Sequence, residues 1–100
     1  MLKQPTDAEF REAAAIFKAL SHPERLRIVC ALADRGTCTQ TQLVETLKRP
    51  QSTLARHLVP LRALGLIGSE RDGVEVPLSL RTGLTRELLD AVCDWLHPEP

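Results

Sequence analysis

The stretch QSTLARHL, Gln51 to Leu58, sets small polar residues, one arginine and one histidine between two leucines four apart. At 100° per residue, Leu54, Leu58 and Leu61 form the inner side of a helix that Pro50 opens. Ser52 and Arg56 then point away from it, Thr53 and Val59 flank them, and Gln51 sits at the exposed N-terminal end. His57 falls between the inner and outer faces. Just upstream, TQTQLVETL begins with a Thr39/Gln42 capping box and carries Leu43, Val44 and Leu47 at helical spacing. Only the short break KRP separates the two segments, which is helix-turn-helix spacing. An outward face of Ser, Thr, Gln and Arg has hydrogen-bonding reach, little bulk and no negative charge. That combination suits a major groove, where Arg can take guanine and Gln adenine. Lys48, Arg49 and the helix N-terminus are placed to meet phosphates.

Working outward, Thr6 with Glu9 forms another capping box, followed by Phe10, Ala14 and Phe17 at helical spacing. Ser21 with Glu24 is read the same way, with Pro23 in the first turn, where its missing N–H is harmless. Leu26, Val29, Cys30 and Ala33 follow on one face, and Gly36 supplies the stop. Pro60 removes a backbone hydrogen bond within the fourth helix and is expected to bend it. After Gly65 short β-prone runs flank Asp72-Gly73, a two-residue hairpin signal, and Pro77 requires an edge or interrupted strand. Leu84, Leu88, Ala91, Val92 and Trp95 then define a last amphipathic helix, ended by Pro98.

The 100 residues fit one domain, residues 1–100, and 43% hydrophobic content gives it a real but small core. Net charge is zero, yet no acid occurs from Thr46 to Ser69, while Lys48, Arg49, Arg56 and Arg62 are basic. Acids gather instead at Glu87, Asp90, Asp94 and Glu99, so one face is set aside for a polyanion. Three cysteines without Cys-x-x-Cys spacing are neither a disulfide scaffold nor a zinc finger. There is no signal-peptide pattern and no apolar run of membrane-spanning length, so a cytoplasmic protein with reduced thiols and no membrane partner is expected. Neither a nucleophile–base pair, a phosphate-cradling glycine loop nor a metal cluster is written locally, so no enzyme, cofactor or metal is expected.

The segments FKALSHPERLRIVCALA, QSTLARHLVPLRALGLI and RDGVEVPLSL together resemble the ArsR/SmtB family of bacterial winged-helix repressors, over about Phe10 to Leu80. The resemblance implies a homodimer formed by the first and last helices, the fourth helix in the major groove of double-stranded DNA, and repression relieved by an inducer. Metal sensors of that family carry Cys-x-Cys just before the recognition helix, or His and acid ligands on the last helix. This chain has GTCTQTQL there, with Cys38 alone, and Asp90, Asp94 and His97 lack the paired spacing. The family's aromatic in the second wing strand is replaced by Val76 and Pro77. Another subgroup senses oxidants or reactive sulfur through one cysteine on the second helix and one near the end of the last. Cys30 matches the first position and Cys93 the second approximately, about a turn early.

The expectation is therefore a mainly α (α+β) winged helix-turn-helix domain: four helices, a β-hairpin wing and a C-terminal dimerisation helix. DNA contacts are expected from Lys48, Arg49, Gln51, Ser52, Thr53, Arg56, His57 and, in the wing, Arg71. Phe10 and Phe17 on the first helix, with Leu84, Leu88, Val92 and Trp95 on the last, offer more apolar surface than so small a core consumes, and are expected at the dimer interface. Cys30 and Cys93 are the redox-sensing candidates, with Cys38 dispensable. Two alternatives stay open, a metalloid-responsive repressor using the cysteines and a winged-helix module that binds protein without an operator.

Overall fold

The computed structural model describes residues 3–71, 73–81 and 83–98, with the backbone alone at 84 and 85. Five helices run in the order α1 (Asp7–Leu20), α2 (Pro23–Arg35), α3 (Gln40–Leu47), α4 (Gln51–Ala63) and α5 (Gly83–Leu96). Two short strands, β1 (Ile67–Gly68) and β2 (Ser79–Leu80), lie between α4 and α5. The expected fold class, with its four helices, is corrected here to five. Gly83–Leu96 is an α-helix as long as α1, and it packs on α2 within the same protomer. Leu88 and Leu89 lie against the core, so it belongs to the domain's own architecture.

The helix ends follow local chemistry. Thr6 accepts from the Glu9 amide at 3.1 Å while the Glu9 carboxylate accepts from the Thr6 amide at 2.8 Å. Thr39 and Gln42 repeat the exchange at the start of α3. The box expected from Ser21 and Glu24 does not form. Because Pro23 is the first residue of α2, the cap falls on His22, whose Nδ1 accepts from the Glu24 amide at 3.2 Å. Ser21 instead closes α1, its hydroxyl donating to the Lys18 carbonyl. Gly36 ends α2 at φ +83°, a conformation that glycine adopts without cost.

α2 is the central element, packed against α1, α3, α4 and α5. Ile28, Val29 and Leu32 on α2 meet Leu43 of α3 and Leu54, Leu58 and Leu61 of α4 in a fully buried cluster closed by Leu66, Ile67 and Leu78. The face of α2 expected to turn inward is thus rotated. Leu26 and Cys30 are exposed in the protomer, on the side that meets α5. Pro60 sits inside α4, which runs through it to Ala63.

The hairpin register also differs from expectation. A two-residue turn at Asp72-Gly73 would pair Ile67 with Leu78, but Ile67 pairs with Leu80 and Gly68 with Ser79. Asp72 lies outside the described residues. Leu78 is taken by Cys38, which exchanges backbone hydrogen bonds with it at 3.0 and 2.9 Å. The Val74 carbonyl accepts from the amides of Gln40 and Thr41, two donors that the first turn of α3 leaves unpaired. The wing is therefore sewn to the front of the helix-turn-helix, with Pro77 outside both strands.

Candidate nucleic-acid interface

α3 and α4 are joined by Lys48, Arg49 and Pro50, with Lys48 left-handed at φ 54° as the cap of α3. This turn lets α4 lie across α3, with Leu54, Leu58 and Leu61 inward. Gln51, Ser52 and Arg56 are exposed on the opposite side, Thr53 is half-buried at its edge, and Gln51 donates to the Gln40 side chain at 3.2 Å. Val59, a flanking residue by its angle on the helix, is 65% exposed in the same stripe and adds an apolar surface to it. Lys48 is exposed beside the helix start, and Arg71 is exposed in the wing.

Two predicted contacts are held differently. Arg49 is half-buried and donates to the Glu24 carboxylate at 2.9 Å and to the Leu47 carbonyl at 3.1 Å, which ties the turn to the front of α2. His57 is only 6% exposed. Its Nδ1 accepts from Arg25 Nε at 3.4 Å, and its ring centroid lies 4.3 Å from that of His22. Burial lowers its pKa from the ordinary imidazole value, with His22, Arg25 and Arg56 acting in the same direction and Glu24 opposing. His57 thus lies behind the outward stripe rather than on it. That position needs the packing of α2 against α4, which no local pattern encodes.

On the other side of α2, Cys30 and Cys93 line one groove with Ala33, Asp34, Arg86 and Asp90. Arg86 donates to the Ala33 carbonyl at 2.8 Å and so fastens α5 to the end of α2. Burial and the neighbouring Cys93 raise the Cys30 thiol pKa. Cys38 is remote in character, 1% exposed in the core. Among the described residues no group of three or more His, Cys, Asp or Glu converges as a metal site. Next to the thiols, Phe17, Leu20, Leu26, Leu88, Leu89 and Val92 line an apolar groove between α1, α2 and α5. Phe10, Phe17, Val92 and Trp95 are exposed, Leu88 is half-buried, and the Leu84 side chain lies outside the described residues. No helix among the described residues is long and apolar enough to cross a membrane.

A short α3, a three-residue turn, an acid-free exposed face on α4 and an antiparallel wing define a winged helix-turn-helix DNA-binding regulator. Residues 22–69 match the family model described as bacterial regulatory protein, arsR family. The HTH-type transcriptional regulator YgaV of Escherichia coli is 35% identical over 74 residues, 74% of this chain and 75% of that protein. The crystal structure of the transcriptional repressor PagR of Bacillus anthracis superposes with a TM-score of 0.78 at 28% identity, covering 87% of this chain and 99% of that one. Reduced HlyU from Vibrio cholerae gives 0.77 at 25% identity, covering 93% and 96%. The chain belongs to the arsR family of bacterial regulatory proteins, whose members are transcriptional regulators and not enzymes.

Proposed function

We propose that the chain acts as a homodimeric repressor on an inverted-repeat operator, with α4 as the reading element. The observation that carries this is the outward stripe of α4. Gln51, Ser52 and Arg56 are exposed together on a segment without a single acid, while the leucines behind them are fully buried. Arg56 is the candidate for a bidentate guanine contact and Gln51 for adenine. Lys48 and Arg71 are the phosphate contacts, and Arg49 serves mainly to brace the turn. The exposed apolar faces of α1 and α5 support the dimer, because so large an apolar patch on a small domain marks an interaction surface. A two-fold axis between α1 and α5 presents two copies of α4, with half-sites about one helical turn, roughly 34 Å, or a small multiple apart. The test is anisotropy with a duplex selected from a random pool against random duplex of equal length at moderate salt. Equal affinity for the two removes this reading.

Release is proposed to run through Cys30 and Cys93, which share the groove between α2 and α5. A disulfide-forming oxidant such as diamide takes two electrons and two protons from the pair, is itself reduced to the hydrazine, and leaves an Sγ–Sγ bond. That bond would fix α5, a dimer helix, to α2 and respace the two α4 helices. Wild type and Cys38→Ser should lose operator affinity on treatment, and Cys30→Ser and Cys93→Ser should keep it. If all four respond alike, or none does, the thiols are packing residues. Release by arsenite that requires all three cysteines would favour the metalloid alternative.

A further inference from the structure

From α2, the Arg25 side chain reaches both α1 and α4 through hydrogen bonds. Its Nη1 donates to the Ala19 carbonyl in the last turn of α1 at 3.3 Å, and its Nε donates to His57 Nδ1 on α4. The second bond requires a lone pair on Nδ1, so His57 is neutral with its proton on Nε2. His22 beside it caps α2, its Nδ1 accepting from the Glu24 amide. The two rings touch at a 54° tilt. Arg56 adds a further positive charge near His57, while the nearby Glu24 carboxylate is already engaged by Arg27 at 2.6 Å and Arg49 at 2.9 Å. A proton on His57 Nδ1 would turn the acceptor into a second cation facing a guanidinium, and the contact would part.

We propose that Arg25 is a positioning residue and His57 its proton-labile partner: together they tie α4 to α2 and, through α2, to the end of α1, so operator binding weakens on mild acidification. This rests on α4 being the DNA-reading helix. Direct charge effects run the other way, since a protonated histidine near a polyanion strengthens binding. The sign of the pH dependence therefore separates the two. Burial first and the neighbouring His22, Arg25 and Arg56 hold the clamped His57 below the ordinary imidazole value, so lowering pH from about 7.5 to about 5.5, across the range of a free imidazole, shifts weight to the unclamped arrangement.

The experiment is operator anisotropy with the full chain at those two pH values and fixed salt. Wild type should lose about threefold or more in affinity. In His57→Gln the amide oxygen can still accept from Arg25 but takes up no proton. It should bind like wild type at the higher pH and lose less than half as much on acidification. The chain has three histidines. The double variant His22→Asn, His97→Gln leaves His57 as the last imidazole, keeps a capping side chain on α2, and should retain the wild-type loss. Wild-type affinity that stays flat or rises, His57→Gln that weakens as wild type does, or a double variant that turns flat would each overturn the clamp. If His57→Gln does not fold, the double variant decides. No binding to any duplex at the higher pH removes the DNA reading itself, a result distinct from binding that merely ignores pH.

Discussion

Trp95→Ala is the sharpest test of the dimer. Trp95 is 80% exposed in the protomer, on the same α5 face as Val92, and contributes little to the protomer's own packing. A buried tryptophan removes about 150–250 Å² from water. At about 25 cal/mol per Å² this is worth about 4–6 kcal/mol as an upper bound. Interface hot spots reach about 2–4 kcal/mol on truncation, once imperfect burial and ordering costs are counted. The two-fold axis applies the change twice, about 4–8 kcal/mol, so the dimer dissociation constant should rise by about a thousandfold or more. Sedimentation equilibrium measures this directly. Trp95 is also the sole tryptophan, so dilution of the wild type should shift its emission to the red as the dimer parts. Far-UV circular dichroism should hardly change, and operator affinity should fall because single half-sites bind weakly. An unchanged dimer constant together with undiminished operator binding would refute the assignment of α5 to the interface.

Further outcomes are expected. Arg56→Ala should cost about 1–3 kcal/mol of operator binding and relax specificity at one position per half-site, read by competition with single-base variants. Lys48→Ala should weaken all duplexes alike and flatten the dependence of log affinity on log salt by about one charge per protomer. Leu54→Ala, at a fully buried position on the inner face of α4, should destabilise the fold by about 2–5 kcal/mol in urea denaturation. The pH dependence of folding has a defined sign at His57, whose pKa is lowered below its ordinary 6.5 by burial first and by neighbouring cations second. The unfolded chain then binds the proton more readily, so stability is full above that value and declines as pH falls through it toward the folded value. Denaturation midpoints across this window should show the decline in wild type and a smaller one in His57→Gln.

Local chemistry was legible wherever its cause lies within about four residues. Thr6 with Glu9, Thr39 with Gln42, and Gly36 each set a helix end from their own neighbours. The leucines at Leu54, Leu58 and Leu61 announced which side of α4 would be buried, and so which residues would face outward. The motifs around them carried the family. What needed the tertiary structure were outcomes of competition between distant segments. Asp72-Gly73 favours one hairpin register in isolation, but Leu78 satisfies its backbone on Cys38 while Val74 caps α3, and the strands settle two residues away. Ser21 could cap α2, yet Pro23 fixes the helix start so that His22 does it. Cys30 looked inward on a helical wheel, but α2 has neighbours on several sides. α5 packs on the side of α2 that carries Cys30, so Cys30 lines a groove with Cys93 instead of entering the core. His57 follows the same rule, because a wheel places it at the edge of α4 while only the approach of α2 buries it against Arg25 and His22. Periodicity determines faces from one chain segment, whereas burial depends on which other segment arrives there, and that is settled only when the whole core closes.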